Sequence, residues 1–150
     1  MITVRFGFLF KSFSSLKPLA MEWRIMNNTT ILLVEDERAQ RLLYKEELED
    51  EGYQVFEAKD GYEAINIAEQ KHVDLAILDI FLAGEDGLEL MGKLLNINGN
   101  LPIILHSAYG TWKDNWRGQV ADAYVIKSAD LSNLKTTIRN VMLNTNQANS

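Results

Sequence analysis

Four apolar runs in this chain each end in residues that can do chemistry. Ile31–Val34 runs into Glu35 and Asp36, Leu75–Leu78 into Asp79, Ile103–His106 into Ser107, and Tyr124–Ile126 into Lys127. With the runs side by side and their carboxyl ends level, three carboxylates, one hydroxyl and one ammonium converge on one rim. Such convergence is costly, because two like charges about 4 Å apart repel by roughly 4 kcal/mol at an effective dielectric of 20. Three clustered carboxylates therefore need a cation, or one of them must hold a proton. The donor set is oxygen without His or Cys, which favours a hard divalent ion such as Mg2+, bound through carboxylates, waters and a substrate phosphate. A carboxylate beside Mg2+ and Lys127 suits attack on a phosphoryl group, since both cations offset charge on the transferring oxygens. The product would be an aspartyl phosphate on Asp79, with the Ser107 hydroxyl bonding one phosphoryl oxygen.

Taken singly, these residues have plainer readings. Glu35 and Asp36 could just begin a helix, where acids favour the positive end of its dipole. Lys127 could be a surface lysine, Ser107 a turn residue, and His106 a packed or hydrogen-bonded core histidine. Asp79 is harder to dismiss, because a carboxylate ending a buried strand is costly unless used. The ordered set carries the signal.

The elements that must position the set follow from hydrophobic patterning. Continuous apolar runs indicate strands covered on both faces, and the more polar Gln54–Ala58 reads as an edge strand. Between them lie helical signatures. Ala39, Leu42 and Leu43 mark a first helix, which Gly52 stops as a C-terminal cap. Asp60–Glu63 and Asp86–Glu89 have capping-box spacing. Ala64, Ile65 and Ala68 follow the first box, and Leu88, Met91 and Leu95 the second. A fourth helix is predicted around Trp112 and Trp116, and a fifth after Asp130 with Leu131, Leu134, Ile138, Val141 and Met142 as its stripe. Five strands alternating with five helices imply an α/β, doubly wound parallel sheet. Ligands in such sheets bind beyond the carboxyl ends of the strands.

The chain is 150 residues long, one domain's worth, with 15 basic against 21 acidic residues and a net charge of −6. That sign argues against a nucleic-acid binder held by a basic surface. There are no cysteines, so disulfides, thiolate metal sites and cysteine nucleophiles are excluded. No apolar run approaches the roughly 20 residues of a membrane span. A cytoplasmic domain over 29–144 is expected, with a polar tail at 145–150. Residues 1–28 stand apart: Arg5, Lys11, Lys17 and Arg24 against Glu22 give +3, among four phenylalanines. A secretory signal and a membrane- or partner-binding arm are open readings there. A poorly ordered extension, with Met21 or Met26 as alternative starts, is the expectation adopted.

The motifs Val34-Glu35-Asp36-Glu37, Leu78-Asp79-Ile80, Glu85-Asp86-Gly87-Leu88-Glu89-Leu90, Ser107-Ala108 and Ala123-Tyr124-Val125-Ile126-Lys127 resemble the ordered signatures of response-regulator receiver domains. The resemblance covers about 30–143. It implies a flavodoxin-like sheet in the order 2-1-3-4-5, with helices on both faces. It also implies that Asp79 accepts phosphate from a sensor histidine kinase or phosphotransfer protein. Asp36 would bind Mg2+ directly and Glu35 more often through water, and the Phe81 carbonyl would complete the protein's share. Lys127 and Ser107 would contact the phosphoryl group. Tyr124 matches the switch position whose ring turns inward when Ser107 moves. Catalysis would be limited to the domain's own phosphorylation and dephosphorylation, within a stand-alone receiver of a phosphorelay. Output would pass to a protein target or a homodimer through the face of the fourth helix, fifth strand and fifth helix. Trp112 and Trp116 lie four apart there, as contacts for a partner or as core residues.

Several departures matter. Ser128 follows Lys127 where the family usually has proline, which leaves the aim of Lys127 open. Ala83 replaces another common proline, so the loop after Asp79 is expected to be less constrained. Phe81 and Tyr109 occupy positions that in the family tune dephosphorylation, and both are bulky. Two rivals remain: a phosphorylation-independent docking module of the same fold, and a haloacid-dehalogenase-type phosphohydrolase. The latter needs a second Asp where Phe81 stands. A dinucleotide site is weaker still, because no glycines follow the first strand.

Overall fold

The structure is a computed structural model that describes residues 13–110 and 120–150. The apolar runs are its strands. In chain order the elements are α1 (Phe13–Asn28), β1 (Thr30–Val34), α2 (Arg38–Asp50), β2 (Gln54–Ala58), α3 (Gly61–Gln70), β3 (Leu75–Leu78), β4 (Phe81–Leu82), β5 (Glu85–Asp86), α4 (Gly87–Ile97), β6 (Ile103–Ser107), β7 (Ala123–Ile126) and α5 (Ser132–Ala148). Five strands form one parallel sheet in the order β2-β1-β3-β6-β7, the expected doubly wound order. β2 lies at one edge, as its polarity implied. β4 and β5 form a two-residue antiparallel hairpin beside the end of β3, which sequence pattern did not reveal.

Alternation along each strand sends side chains to opposite faces, and the core divides accordingly. Ile31, Leu33, Ile77, Ile104 and Val125 meet Tyr44 and Leu48 of α2 and Leu134, Ile138 and Met142 of α5. Leu32, Val34, Leu78, Ile103 and Leu105 meet Ala64 of α3 and Leu88, Met91 and Leu94 of α4. The register pairs Val34 with Leu78, Leu78 with Leu105, and Ser107 with Ile126. This levels the strand ends and carries Glu35, Asp79, Ser107 and Lys127 to one rim.

Three expectations need correction. Leu42 and Leu43 are exposed, and α2 buries Tyr44 and Leu48 instead. The two adjacent leucines misplaced the stripe because Tyr44 can bury its ring while its hydroxyl reaches Gln40. Second, 1–28 is not an unordered extension throughout. Phe13–Asn28 is helical, with Ile25 buried and Met26 partly so in the cluster shared with α5. Those two residues anchor a segment whose remaining pattern is weak; residues 1–12 lie outside the described residues. Third, the expected tail at 145–150 is largely the end of α5. No Gly or Pro interrupts it, and the Thr145 hydroxyl donates to the Val141 carbonyl at 2.9 Å. The fourth helix with Trp112 and Trp116 also falls outside the described residues.

The helix boundaries follow local chemistry. Gly52, with φ 104°, takes the left-handed conformation that ends α2. Asp60 accepts from the Glu63 amide at 2.9 Å, and Asp86 from the Leu88 amide at 2.9 Å, capping α3 and α4. Gly87 matters most for the rim. A Cβ there would sit 2.2 Å from the Asp79 carbonyl oxygen and 2.9 Å from that of Ile80. Gly87→Ala must push this backbone aside, an overpacking cost of about 1–3 kcal/mol. Urea unfolding should show the midpoint lowered at unchanged slope; an unaltered midpoint would show that the α4 start and the Asp79 loop are not packed this closely.

Candidate functional site

The β1–α2 junction is pinned by Arg41, whose guanidinium donates to the Glu35 carbonyl at 2.8 Å and the Asp36 carbonyl at 3.3 Å. That clasp holds two consecutive acids at the end of a central strand. Glu35, Asp36 and Asp79 each offer a carboxylate oxygen, all within 4.8 Å of one another. Glu35 is 2% and Asp79 7% exposed, while Asp36 is half-buried. Lys127, from the end of β7, donates to Asp79 Oδ2 at 2.6 Å, Glu35 Oε2 at 2.6 Å and Gln40 Oε1 at 3.0 Å.

Three further carboxylate oxygens are held by backbone amides. Asp79 Oδ1 accepts from the Phe81 amide at 3.0 Å, and Glu35 Oε1 from the Glu37 amide at 3.1 Å. Asp36 Oδ2 accepts from the Ala83 amide at 2.9 Å. The last bond revises the expectation of a less constrained loop, because a proline at 83 could not donate it. Glu85 ties the hairpin on its other side, accepting from the Gly61 amide at 2.8 Å. A negative side chain at that helix start also suits the dipole.

Charge balance sets the protonation states. Burial pushes the Glu35 carboxyl up from its ordinary range, while the hydrogen bond and charge of Lys127 and the Glu37 amide pull against it. Burial would lower the Lys127 ammonium, but its hydrogen bonds and charge interactions with Asp79 and Glu35 outweigh it and raise the net value. Lys127 thus stays charged, standing where a cation is required.

Around this centre, Ser107 is fully buried at the end of β6, and its hydroxyl accepts from the Tyr109 amide at 3.4 Å. The half-buried Tyr124 donates its hydroxyl to the Tyr109 carbonyl. Phe81 and Tyr109, 47% and 61% exposed, meet edge to face with ring centroids 5.4 Å apart. The structure therefore brings Glu35, Asp36, Asp79 and Lys127 into one constellation, with Ser107, Phe81, Tyr109 and Tyr124 on adjoining strand ends and loops. None of the described peptide bonds is cis, and Lys127 reaches both acids with Ser128 following it. Sequence reasoning missed Gln40, Glu85 and the Ala83 amide. A residue spacing of three from Glu37 was the only signal for Gln40, and Glu85 meets its partner across 24 residues.

An oxygen-only cluster of three carboxylates fits a hard divalent cation. A parallel sheet of this order, with an acidic cluster and a lysine at the carboxyl ends of its strands, defines a receiver-type fold. The comparisons agree: the family model described as "Response regulator receiver domain" matches residues 31–139, and the chain belongs to that family. It is 38% identical over 85 residues to the sporulation initiation phosphotransferase F of Bacillus subtilis (strain 168), covering 57% of this chain and 68% of that protein. It is 33% identical over 110 residues to the two-component response regulator PhoP of Pseudomonas aeruginosa, covering 72% of this chain and 49% of that protein. The chain thus spans about half the length of that regulator. The response regulator TrrA of Thermotoga maritima, solved with Mg(2+)-BeF, superposes with a TM-score of 0.72 at 37% identity, over 75% of this chain and 98% of that one. TrrA in complex with the histidine kinase ThkA gives 0.71 at 37% identity, over 75% and 97%. Among the described residues no helix is long and apolar enough to cross a membrane.

His106, next to Ser107, is buried, with its ring centroid 5.0 Å from that of Tyr44. Burial first, and then the Lys127 charge, push its imidazole down from 6.5 to about 4. It stays neutral in the folded chain while the unfolded chain protonates near 6.5, so its contribution is complete above that pH and is lost as pH falls toward about 4. Over that window the stability of the wild type relative to His106→Gln should fall by about 3 kcal/mol. Urea unfolding from pH 7 to pH 4 measures this; parallel curves for the two proteins would contradict it.

Proposed function

We propose that this chain receives a phosphoryl group on Asp79 from a phosphohistidine of a sensor histidine kinase or phosphotransfer protein, with Mg2+, and signals by a conformational switch. The observation that carries the reading is the Lys127 ammonium bonded to both Asp79 and Glu35 at 2.6 Å, within a three-carboxylate cluster. Support comes also from TrrA, a relative solved both with Mg(2+)-BeF and with a histidine kinase. Asp36 and Asp79, with Glu35 and the Phe81 carbonyl, would hold the ion. When bound, Mg2+ supplies positive charge against the phosphoryl oxygens.

The chain's own residues do the rest. Asp79 Oδ attacks phosphorus; the P–O bond forms as the P–N bond to the donor imidazole breaks, and the electron pair leaves on that nitrogen. Lys127 turns its N–H groups to the phosphoryl oxygens, and Ser107 donates its hydroxyl to another. As Ser107 moves, Tyr124 gives up its bond to the Tyr109 carbonyl and its ring fills the vacated space. The changed surface lies beside β7, where a protein target or a second copy of the chain docks. The domain turns over no separate substrate.

The rival docking module keeps the fold without phosphate. Acetyl phosphate with Mg2+ should add one phosphoryl group to the wild type, located by mass spectrometry on Asp79, and none to Asp79→Ala. No adduct on the wild type would favour the docking module.

Phe81 and Tyr109 stand edge to face beside the acceptor, two residues beyond Asp79 and Ser107. They hinder in-line water, so the aspartyl phosphate is long-lived. Replacing both by small polar residues should shorten its half-life roughly tenfold, the effect of about 1.4 kcal/mol on a barrier. A half-life equal to that of the wild type would remove the shielding role.

A further inference from the structure

Lys127 has three N–H bonds to give, and all three are taken. Two go to Glu35 and Asp79 at 2.6 Å, and the third to the neutral side-chain carbonyl of Gln40 at 3.0 Å. Gln40 lies in the first turn of α2, facing the rim. Its amide has one sensible orientation: Nε2 donates to Glu37 Oε2 at 2.7 Å, while Oε1 accepts from both Lys127 and the Tyr44 hydroxyl, the latter at 3.3 Å. Flipping it would set an NH2 group against an ammonium and a hydroxyl. Tyr44 is itself buried against His106, so the acceptor oxygen is backed by core packing.

The two kinds of acceptor respond differently to a divalent cation. A divalent cation among the carboxylates attracts their oxygens and repels the Lys127 ammonium, so both Lys127–carboxylate bonds weaken. The Gln40 oxygen is uncharged and outside the carboxylate cluster, and the Tyr44 hydroxyl that shares it takes the longer bond, 3.3 Å against 3.0 Å. We propose that Gln40 is a positioning residue that tethers the Lys127 ammonium beside Asp79 once the carboxylates are engaged, leaving two N–H bonds for phosphoryl oxygens. This rests on the reading of Asp79 as phosphoacceptor.

The test uses the full chain as wild type, Gln40→Met, Lys127→Met and the double variant. Methionine keeps side-chain length and helix preference without an equivalent acceptor. With acetyl phosphate and Mg2+, Gln40→Met should slow uptake on Asp79 about tenfold, since misplacement of a catalytic group by about 1 Å costs up to about 100-fold. In the Lys127→Met background the same change should alter the rate less than about twofold, the coupling expected of residues acting as one. A second readout needs no phosphodonor: with Mg2+ bound, 15N NMR should show the Lys127 ammonium protons exchanging with water faster in Gln40→Met than in the wild type. Equal uptake by the wild type and Gln40→Met, equal slowing in both backgrounds, or unchanged exchange would overturn the tether. If the wild type takes up no phosphate, the phosphoacceptor reading falls, and the exchange measurement alone decides whether Gln40 holds Lys127.

Discussion

One ammonium holds the rim together. Glu35 and Asp79 are nearly inaccessible to water, and each accepts from Lys127 at 2.6 Å, which joins the ends of β1, β3 and β7. Without that charge, two buried carboxylates would face a third within 4.8 Å. Removing one partner of a buried ion pair commonly costs about 3–5 kcal/mol, because the other charge is left uncompensated. The contact that balances the buried charge thus lies at the centre of the proposed site. The lysine that balances the acids at rest is also the group closest to the oxygens a phosphoryl transfer would involve.

The rest of the rim serves to keep those oxygens in place. Arg41 holds the backbone of Glu35 and Asp36, the Ala83 amide joins Asp36 to the hairpin, and Glu85 joins the hairpin to the start of α3. Gly87 lets α4 begin directly against the Asp79 backbone. On the other side, the Phe81 ring meets that of Tyr109, whose backbone carbonyl accepts from the Tyr124 hydroxyl. The Asp79 carboxylate therefore borders a tied loop on one side and exposed or half-buried aromatic side chains on the other. That asymmetry would suit the proposed function, which asks for rigidity at the carboxylates and a change of shape beside them.

Much of this was legible in the sequence, for a definite reason. A strand buried on both faces is a continuous apolar run, so β1, β3, β6 and β7 were visible, and the residues ending them necessarily lay on one edge. The caps at Asp60 and Asp86 and the stop at Gly52 are local and were equally legible. What escaped depends on contacts distant in sequence. Nothing near Glu85 signals Gly61, and nothing in the pattern of 38–50 shows that Tyr44 faces the core while Leu42 and Leu43 face out. The Ala83 amide was not legible because its partner, the Asp36 carboxylate, lies 47 residues away in the chain. The helix at Phe13–Asn28 escaped because, among the described residues, Ile25 and Met26 alone of that helix join the core.

The central claim, that these carboxylates form a site for a hard divalent cation, is tested most directly by thermal unfolding with and without Mg2+. A ligand that binds only the folded state raises Tm with its concentration. The wild type should show that rise, and Asp36→Ala, which loses a carboxylate while keeping the Lys127 contacts, should show little or none. A wild type whose Tm ignores Mg2+, or a rise of equal size in both proteins, would contradict the account.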